Sequence, residues 1–235
     1  GWRVEMGNVG LHYYAWRYEE PDTEADLPDD DGADDADDEQ DDMPEPPETG
    51  DPIHSADLES WSNVTYEEGT TFYAGSGFHI RVDEPQTFIY HTDPDVLTRD
   101  AHVTTSLLPV EGEEGEACLA TRVQANFSAN YAFCATGAGD LFAVFEEEAE
   151  GGLQQTTLFE LDDAIEEETF EADGVQLSVI HAGNNHWFQV DGEVVGHATH
   201  DGPTEGDAGV FVFNRDADRV EFIFRDFTVS EVETD

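Results

Sequence analysis

Between residues 87 and 224 the chain is a succession of short segments in which apolar and polar side chains alternate, and this period of two decides the fold class. The segments are Thr87–Tyr90, Val103–Leu107, Cys118–Val123, Tyr131–Cys134, Leu141–Phe145, Val175–Val179, Trp187–Val190, Gly209–Phe213 and Val220–Phe224. Alternation puts every second side chain on one face, which suits a pleated strand with one buried side and not a helix. Turn-forming residues separate the segments: Gly137-Ala138-Gly139-Asp140, Gly183-Asn184-Asn185 and Asp191-Gly192. Many short strands joined by tight turns predict an all-β, antiparallel two-sheet sandwich. The one helix-like stretch, Asp162–Glu168, is short and lacks a capping residue, and it reads as a loop.

Three regions follow from the change in pattern along the chain. Residues 1–18 are apolar and aromatic, with Trp2, Val4 and Met6 alternating before Gly7-Asn8 and Val9, Leu11 and Tyr13 alternating after it. That is the pattern of a β-hairpin. An isolated hairpin is barely stable in water, so this one must dock on its own domain or on a neighbour. Residues 19–50 are acidic, of low complexity and rich in Pro, and they read as a linker too polar to fold alone. Residues 51–235 form the sandwich domain. No apolar run approaches the roughly 20 residues that span a bilayer. The first residues, Gly1-Trp2-Arg3, include no initiator Met and read as the start of a processed or truncated product.

Charge narrows the partners. The chain has 57 acidic residues against 8 basic ones, a formal net charge of −49. Every basic residue is Arg, and Lys is absent. The linker holds 17 of the acids, which leaves 40 distributed over the rest, so the folded domain is itself acidic. Such self-repulsion disfavours a compact state at low ionic strength, and salt at about 1 M, with a Debye length near 3 Å, relieves it. The composition points to a salt-adapted, halophile-like protein. It excludes nucleic acid as a direct partner, because there is no basic patch to neutralise phosphates, and it disfavours an anionic membrane surface.

The two cysteines, Cys118 and Cys134, fit no metal-binding spacing. If they pair across neighbouring antiparallel strands, the hairpin tip falls at Ala125-Asn126-Phe127, which also exposes the sequon Asn126-Phe127-Ser128. A disulfide that clips this hairpin is therefore expected. Asn63-Val64-Thr65 is a second sequon. A disulfide and glycosylation sites at Asn63 and Asn126 together point to an extracellular or cell-surface location.

Several segments also carry a family likeness. They are Glu116–Arg122, Asn130–Phe133, Gly183–Val195, Gly206–Val210 and Val220–Val229. In this order, from about residue 66 to 232, the chain resembles the concanavalin A-like lectin and glucanase jelly rolls, in particular their laminin-G-like and 3-keto-disaccharide-hydrolase-like members. The resemblance implies fold more than function, because this fold carries enzymes, lectins, sensor ectodomains and spacers.

Fold-mates with glycosidase activity carry their carboxylates on one strand as Glu-x-Asp-x-Glu or with one more residue before the last Glu. The nearest run here, Glu160-Leu161-Asp162-Asp163-Ala164-Ile165-Glu166, has the wrong phase, so Glu160 and Asp162 read as solvated surface acids. His181, His186, His197 and His200 lie near strand ends but match no metal-ligand spacing and read as turn histidines. Asp29, Asp31 and Asp34 are the candidates for calcium or another hard cation, although their phase is not that of an EF-hand. No cofactor is required. Trp61, Tyr66, Tyr73 and Tyr90 are the aromatics from which a sugar-stacking platform would be built, with core packing as the alternative. Arg122 reads as a structural, half-buried cation.

The combined expectation is a non-catalytic extracellular module for adhesion or glycan recognition, whose partner is a glycan or another surface protein. Two alternatives stand beside it. One is a structural subunit of a filament or surface layer, assembling with copies of itself when residues 1–18 insert at a neighbour's sheet edge. The other is a polysaccharide-active hydrolase.

Overall fold

The computed structural model describes residues 3–6, 9–13, 43–75, 77–149 and 152–233. In chain order these form β1 (Arg3–Met6), β2 (Val9–Tyr13), β3 (Thr49–Ser55), β4 (Val64–Thr65), β5 (Gly69–Ala74), β6 (Gly77–Val82), β7 (Thr87–Thr98), β8 (Ala101–Glu111) and β9 (Gly115–Val123). Then come β10 (Ala129–Thr136), β11 (Leu141–Ala149), β12 (Gly152–Leu161), α1 (Glu167–Asp173), β13 (Val175–Ala182), β14 (Asn185–Val190), β15 (Glu193–Thr199), β16 (Gly206–Asn214) and β17 (Val220–Val232).

The strands make two antiparallel sheets. The first runs β1-β2-β7-β16-β9-β10-β11-β12, and the second runs β15-β14-β13-β8-β17-β6-β5-β4, with β3 on the far half of β17. The core between them takes Leu119, Phe133 and Val210 from the first sheet and Leu107, Val179 and Phe222 from the second, all essentially inaccessible to solvent. At roughly 25 cal/mol per Å² of apolar surface buried, this layer is the main source of stability. Among the described residues no helix is long and apolar enough to cross a membrane.

The turn chemistry is realised where the sequence places it. Asp191 and Gly192, with φ of 50° and 85°, join β14 to β15 as a two-residue hairpin loop. Positive φ at both central residues is the mirror-image turn that matches strand twist, which is why Asp-Gly stands there. The register of β9 and β10 sets Cys118 opposite Cys134, and the disulfide between them is formed. A 3-10 turn over Ala125–Phe127 connects the two strands at the expected tip.

Two expectations need correction. The stretch after β12 is a loop only as far as Glu166, and a helix, α1, begins at Glu167. Phe170 anchors that helix in the core, and Gly174, with φ of 73°, closes it by donating its N–H to the Phe170 carbonyl. An anchor and a glycine stop outweigh the missing N-cap. Residues 49–50, read as the end of the linker, are strand. Strand β3 begins at Thr49, and Trp187 Nε1 donates to the Pro44 carbonyl at 2.7 Å, which ties the residues just before β3 to the second sheet.

The N-terminal strands pair with each other, and β2 continues the first sheet by pairing with β7 of the same chain. The side chains read as an assembly segment (Trp2, Val4, Met6, Val9, Leu11 and Tyr13) lie outside the described residues, as do Gly7-Asn8 and the acidic candidates Asp29, Asp31 and Asp34.

Candidate functional site: the outer face of the eight-stranded sheet

The first sheet is apolar on both sides. In β9, Ala117 and Leu119 point into the core while Cys118 and Ala120 point outward. In β16, Val210 and Val212 point inward while Phe211 and Phe213 point outward. Among the described residues, the outward side chains form a second apolar cluster drawn from this sheet and the 3-10 turn, including Phe88, Tyr90 and Phe127. Phe127 holds a φ of 57°, a region that bulky side chains avoid. Its ring packs 4.4 Å from that of Tyr90 and 5.6 Å from that of Phe88. The disulfide lies in the floor of this face.

Beside that cluster the face encloses a cavity of about 380 Å³, walled by Phe88, Phe142, Phe211 and Phe213 together with Glu116 and Glu146. Both carboxylates are nearly inaccessible to solvent. Glu146 accepts hydrogen bonds from Asn130 Nδ2 at 3.1 Å and Gln155 Nε2 at 3.5 Å. Burial pushes its carboxyl up to about 7, the charge of Glu116 adds to the rise, and the Asn130 hydrogen bond opposes it. Glu116 is also pushed up by burial, against the pull of Arg215, whose Nε donates to Glu116 Oε1 at 3.0 Å. The Oδ1 of Asn130 is buried without a hydrogen-bond partner among the described residues. An aromatic wall with a few convergent polar groups is the usual make-up of a small-molecule site.

A different polar set lies between the sheets, where β7–β8 and β15–β16 cross from one sheet to the other. Thr121 Oγ1 is 2.7 Å from His181 Nε2, His181 Nδ1 is 2.6 Å from His186 Nδ1, and His186 Nε2 is 3.5 Å from the His200 carbonyl. One tautomer pattern satisfies the chain: Thr121 donates to His181, His181 to His186, and His186 to the carbonyl. Both rings are then neutral. Burial lowers His181 well below its ordinary value and His186 to about 4, and Arg122 adds to both shifts. Tyr131 OH lies 3.2 Å from His200 Nδ1. Arg122, buried and with a φ of 48°, donates to the carbonyls of Arg99 and Pro203 and lies 3.7 Å from Asp100. The expectation that Arg122 is structural fits these contacts. The histidines read from sequence as a wet rim are instead a sealed interior network for His181 and His186, whereas His197 lies beside Trp187. Among the described residues no group of His, Cys, Asp and Glu is placed to hold a metal ion.

The aromatic platform read from sequence does not assemble. Trp61 is turned inward, stacked on His91 at 4.1 Å and edge-on to Phe78, and Tyr66 and Tyr73 pack against the same core. Trp61 is buried and Tyr66 and Tyr73 are partly buried against that core, whereas Tyr90, also buried, belongs to the cluster on the other side of the eight-stranded sheet. Glu160 and Asp162 are exposed, as expected. Asn63 is exposed, and its Oδ1 accepts the Tyr73 N–H at 2.8 Å. Asn126 lies in the 3-10 turn at the hairpin tip. The cavity residues Phe142, Phe211, Phe213, Glu116, Glu146 and Arg215 were not singled out from sequence. The signal was present in β16, where Phe alternates with Val and leaves no polar face.

No family model matches the chain, and no curated protein sequence matches it. The carbohydrate-binding module CBM66 from Bacillus subtilis is similar in structure, with a TM-score of 0.57 at 18% identity over 74% of this chain and 98% of that one. A protein of unknown function with a galectin-like fold from Bacillus subtilis gives 0.54 at 15% identity, over 80% of this chain and 100% of that one. The catalytic domain of an endo-1,3-beta-glucanase (laminarinase) from Thermotoga petrophila RKU-1 gives 0.54 at 9% identity, over 80% and 100%. The fold is that of the concanavalin A-like lectins and glucanases. Within this concanavalin A-like sandwich the aromatic cavity belongs to the eight-stranded sheet, and the histidine network lies between the two sheets.

Proposed function

We propose that this protein is a non-catalytic glycan-recognition module of an extracellular, salt-adapted surface protein, and that sugar binds on the outer face of the eight-stranded sheet. The observation that carries this reading is the cavity itself. Its phenylalanines offer apolar faces to the C–H surfaces of a sugar ring, while Glu116, Glu146, Gln155 and Arg215 offer hydrogen bonds to its hydroxyls. The similarity to a carbohydrate-binding module and to a laminarinase domain supports a glycan as ligand. The charge of −49 supports salt adaptation, and the disulfide with the two sequons supports an extracellular site and a glycoprotein.

Titration calorimetry against a glycan panel tests this. Binding that is lost in Phe142→Ala and Phe213→Ala, with the fold retained, is the expected result. Binding that survives both substitutions moves the site elsewhere.

One observation favours hydrolysis as a second reading. Two buried carboxyls share the cavity, and Glu146, near 7, has the proton affinity of a general acid. Against it, the carboxylate of Glu116 is already bound by Arg215. Reducing-end release from a bound glycan, abolished in Glu146→Gln, would replace the first reading with the second.

A further inference from the structure

The cavity does not end at its aromatic wall. A second hollow of about 440 Å³ adjoins it, and the two share Glu116, Phe142, Arg215 and Asp216. The far part of this second hollow is lined by Glu113, Glu114, Asp140, Glu160 and Asp162. Among the described residues, Arg215 is the one cationic side chain lining either hollow, and its guanidinium is bound to Glu116. The outer face therefore carries one trough with two chemistries: aromatic rings at one end and carboxylates at the other.

We propose that this trough takes an extended, uncharged glycan chain and rejects anionic chains such as uronates and sulfated sugars. The proposal rests on the glycan reading above and adds length and charge to it. Length follows from the joined hollows, since each alone has the size of a small-molecule pocket. Charge follows from donor and acceptor counting. An ionised carboxylate only accepts hydrogen bonds, and the hydroxyls of an uncharged sugar supply donors to it. A uronate or sulfate brings acceptors and a like charge to a wall that already has both. Unpaired like charges at a binding surface act as rejection rather than as lost attraction. The phenylalanine rings are indifferent to charge, so the sorting belongs to the carboxylates, five of which line the far part of the trough.

The test uses the full chain and three neutral oligosaccharide ladders (gluco, manno and xylo) from one to about six units, against oligogalacturonates of equal length. Affinity is measured in salt of about 0.15 M and about 1 M, where the Debye length falls from about 8 to about 3 Å. The expected result is a neutral hexamer binding at least about tenfold tighter than its monomer and than the galacturonate hexamer, with the second gap narrowing at high salt. Glu113→Gln/Glu114→Gln/Glu160→Gln, at exposed positions, is expected to gain galacturonate binding and so to narrow the gap between the galacturonate and neutral hexamers already in the lower salt. Equal affinity for neutral and galacturonate chains in the lower salt overturns the sorting and leaves the glycan reading standing. A monomer as tight as its hexamer overturns the extended chain. No binding by any ladder overturns the glycan reading and this proposal with it.

Discussion

Glu146 on the outer face and His186 between the sheets are both buried, and burial shifts both in the direction that keeps them neutral. The carboxyl rises to about 7 and the imidazole falls to about 4. The surroundings differ. His186 sits in a hydrogen-bonded run that begins at Thr121 and ends on a backbone carbonyl, with nothing left for a ligand to satisfy. Glu146 is held from one side by Asn130 and Gln155 and faces a cavity on the other. Desolvation alone does not mark a functional group. A desolvated group becomes a site when part of its surroundings is empty space.

The largest effect is expected in the histidine network. His181→Ala removes the partner of both Thr121 and His186 and leaves a hole, so a loss of about 2–4 kcal/mol is expected in denaturant unfolding. Glu146→Gln, by contrast, should leave stability near pH 8 unchanged or raise it by about 1 kcal/mol, because it removes a charge that burial disfavours. If the two substitutions destabilise equally, the two sets do not differ in kind.

The pH dependence separates them next. His91 and His186 have folded values near 4, below the ordinary 6.5, so the unfolded chain binds more protons between these limits. Their contribution to stability is therefore present above about 6.5 and is lost as the pH falls toward 4, on the order of 3 kcal/mol for each. Glu146 has the opposite sign. Its folded value near 7 lies above the ordinary 4.5, so it favours the folded state at low pH and loses that contribution as the pH rises from about 4.5 to 7. Melting curves of the parent and of Glu146→Gln across pH 4–8 read both limbs. The variant should gain stability more steeply than the parent as the pH rises from about 4.5 to 7, because the opposing contribution of Glu146 is gone.

The smallest effects lie at the turn and the rim. Gly192→Ala puts a Cβ on a residue with φ of 85° and open space around it, and is expected to cost about 1 kcal/mol of stability by conformation alone. Asp162→Asn, on an exposed loop, should change stability by less than about 0.5 kcal/mol. A larger loss there would show that the carboxylate rim is part of the fold rather than a surface laid on it.

Much of the architecture was legible because it is local. The Asp191-Gly192 turn, the Cys118–Cys134 register and the alternation of β9, β10 and β16 depend on residues close in sequence, and each appears where the pattern puts it. The helix α1 was missed because its support is tertiary, coming from Phe170 in the core. Trp61 and Tyr66 were set on the wrong surface because an aromatic side chain carries no mark of which layer will cover it. His181 and His186, five residues apart on either side of a hairpin turn, looked like rim residues until the pairing of β13 with β14 set them side by side inside the sandwich.

The sequence by itself determined the all-β class, the acidic surface, the disulfide hairpin and the tight turns, since period, composition and turn chemistry act over a few residues. The tertiary structure decided which phenylalanines face inward and which line a cavity, and it brought Glu116 of β9 to the same hollow as Glu146 of β11. Those outcomes depend on which sheet face meets the other sheet. In strands apolar on both sides, alternation separates the two faces without saying which of them is the core.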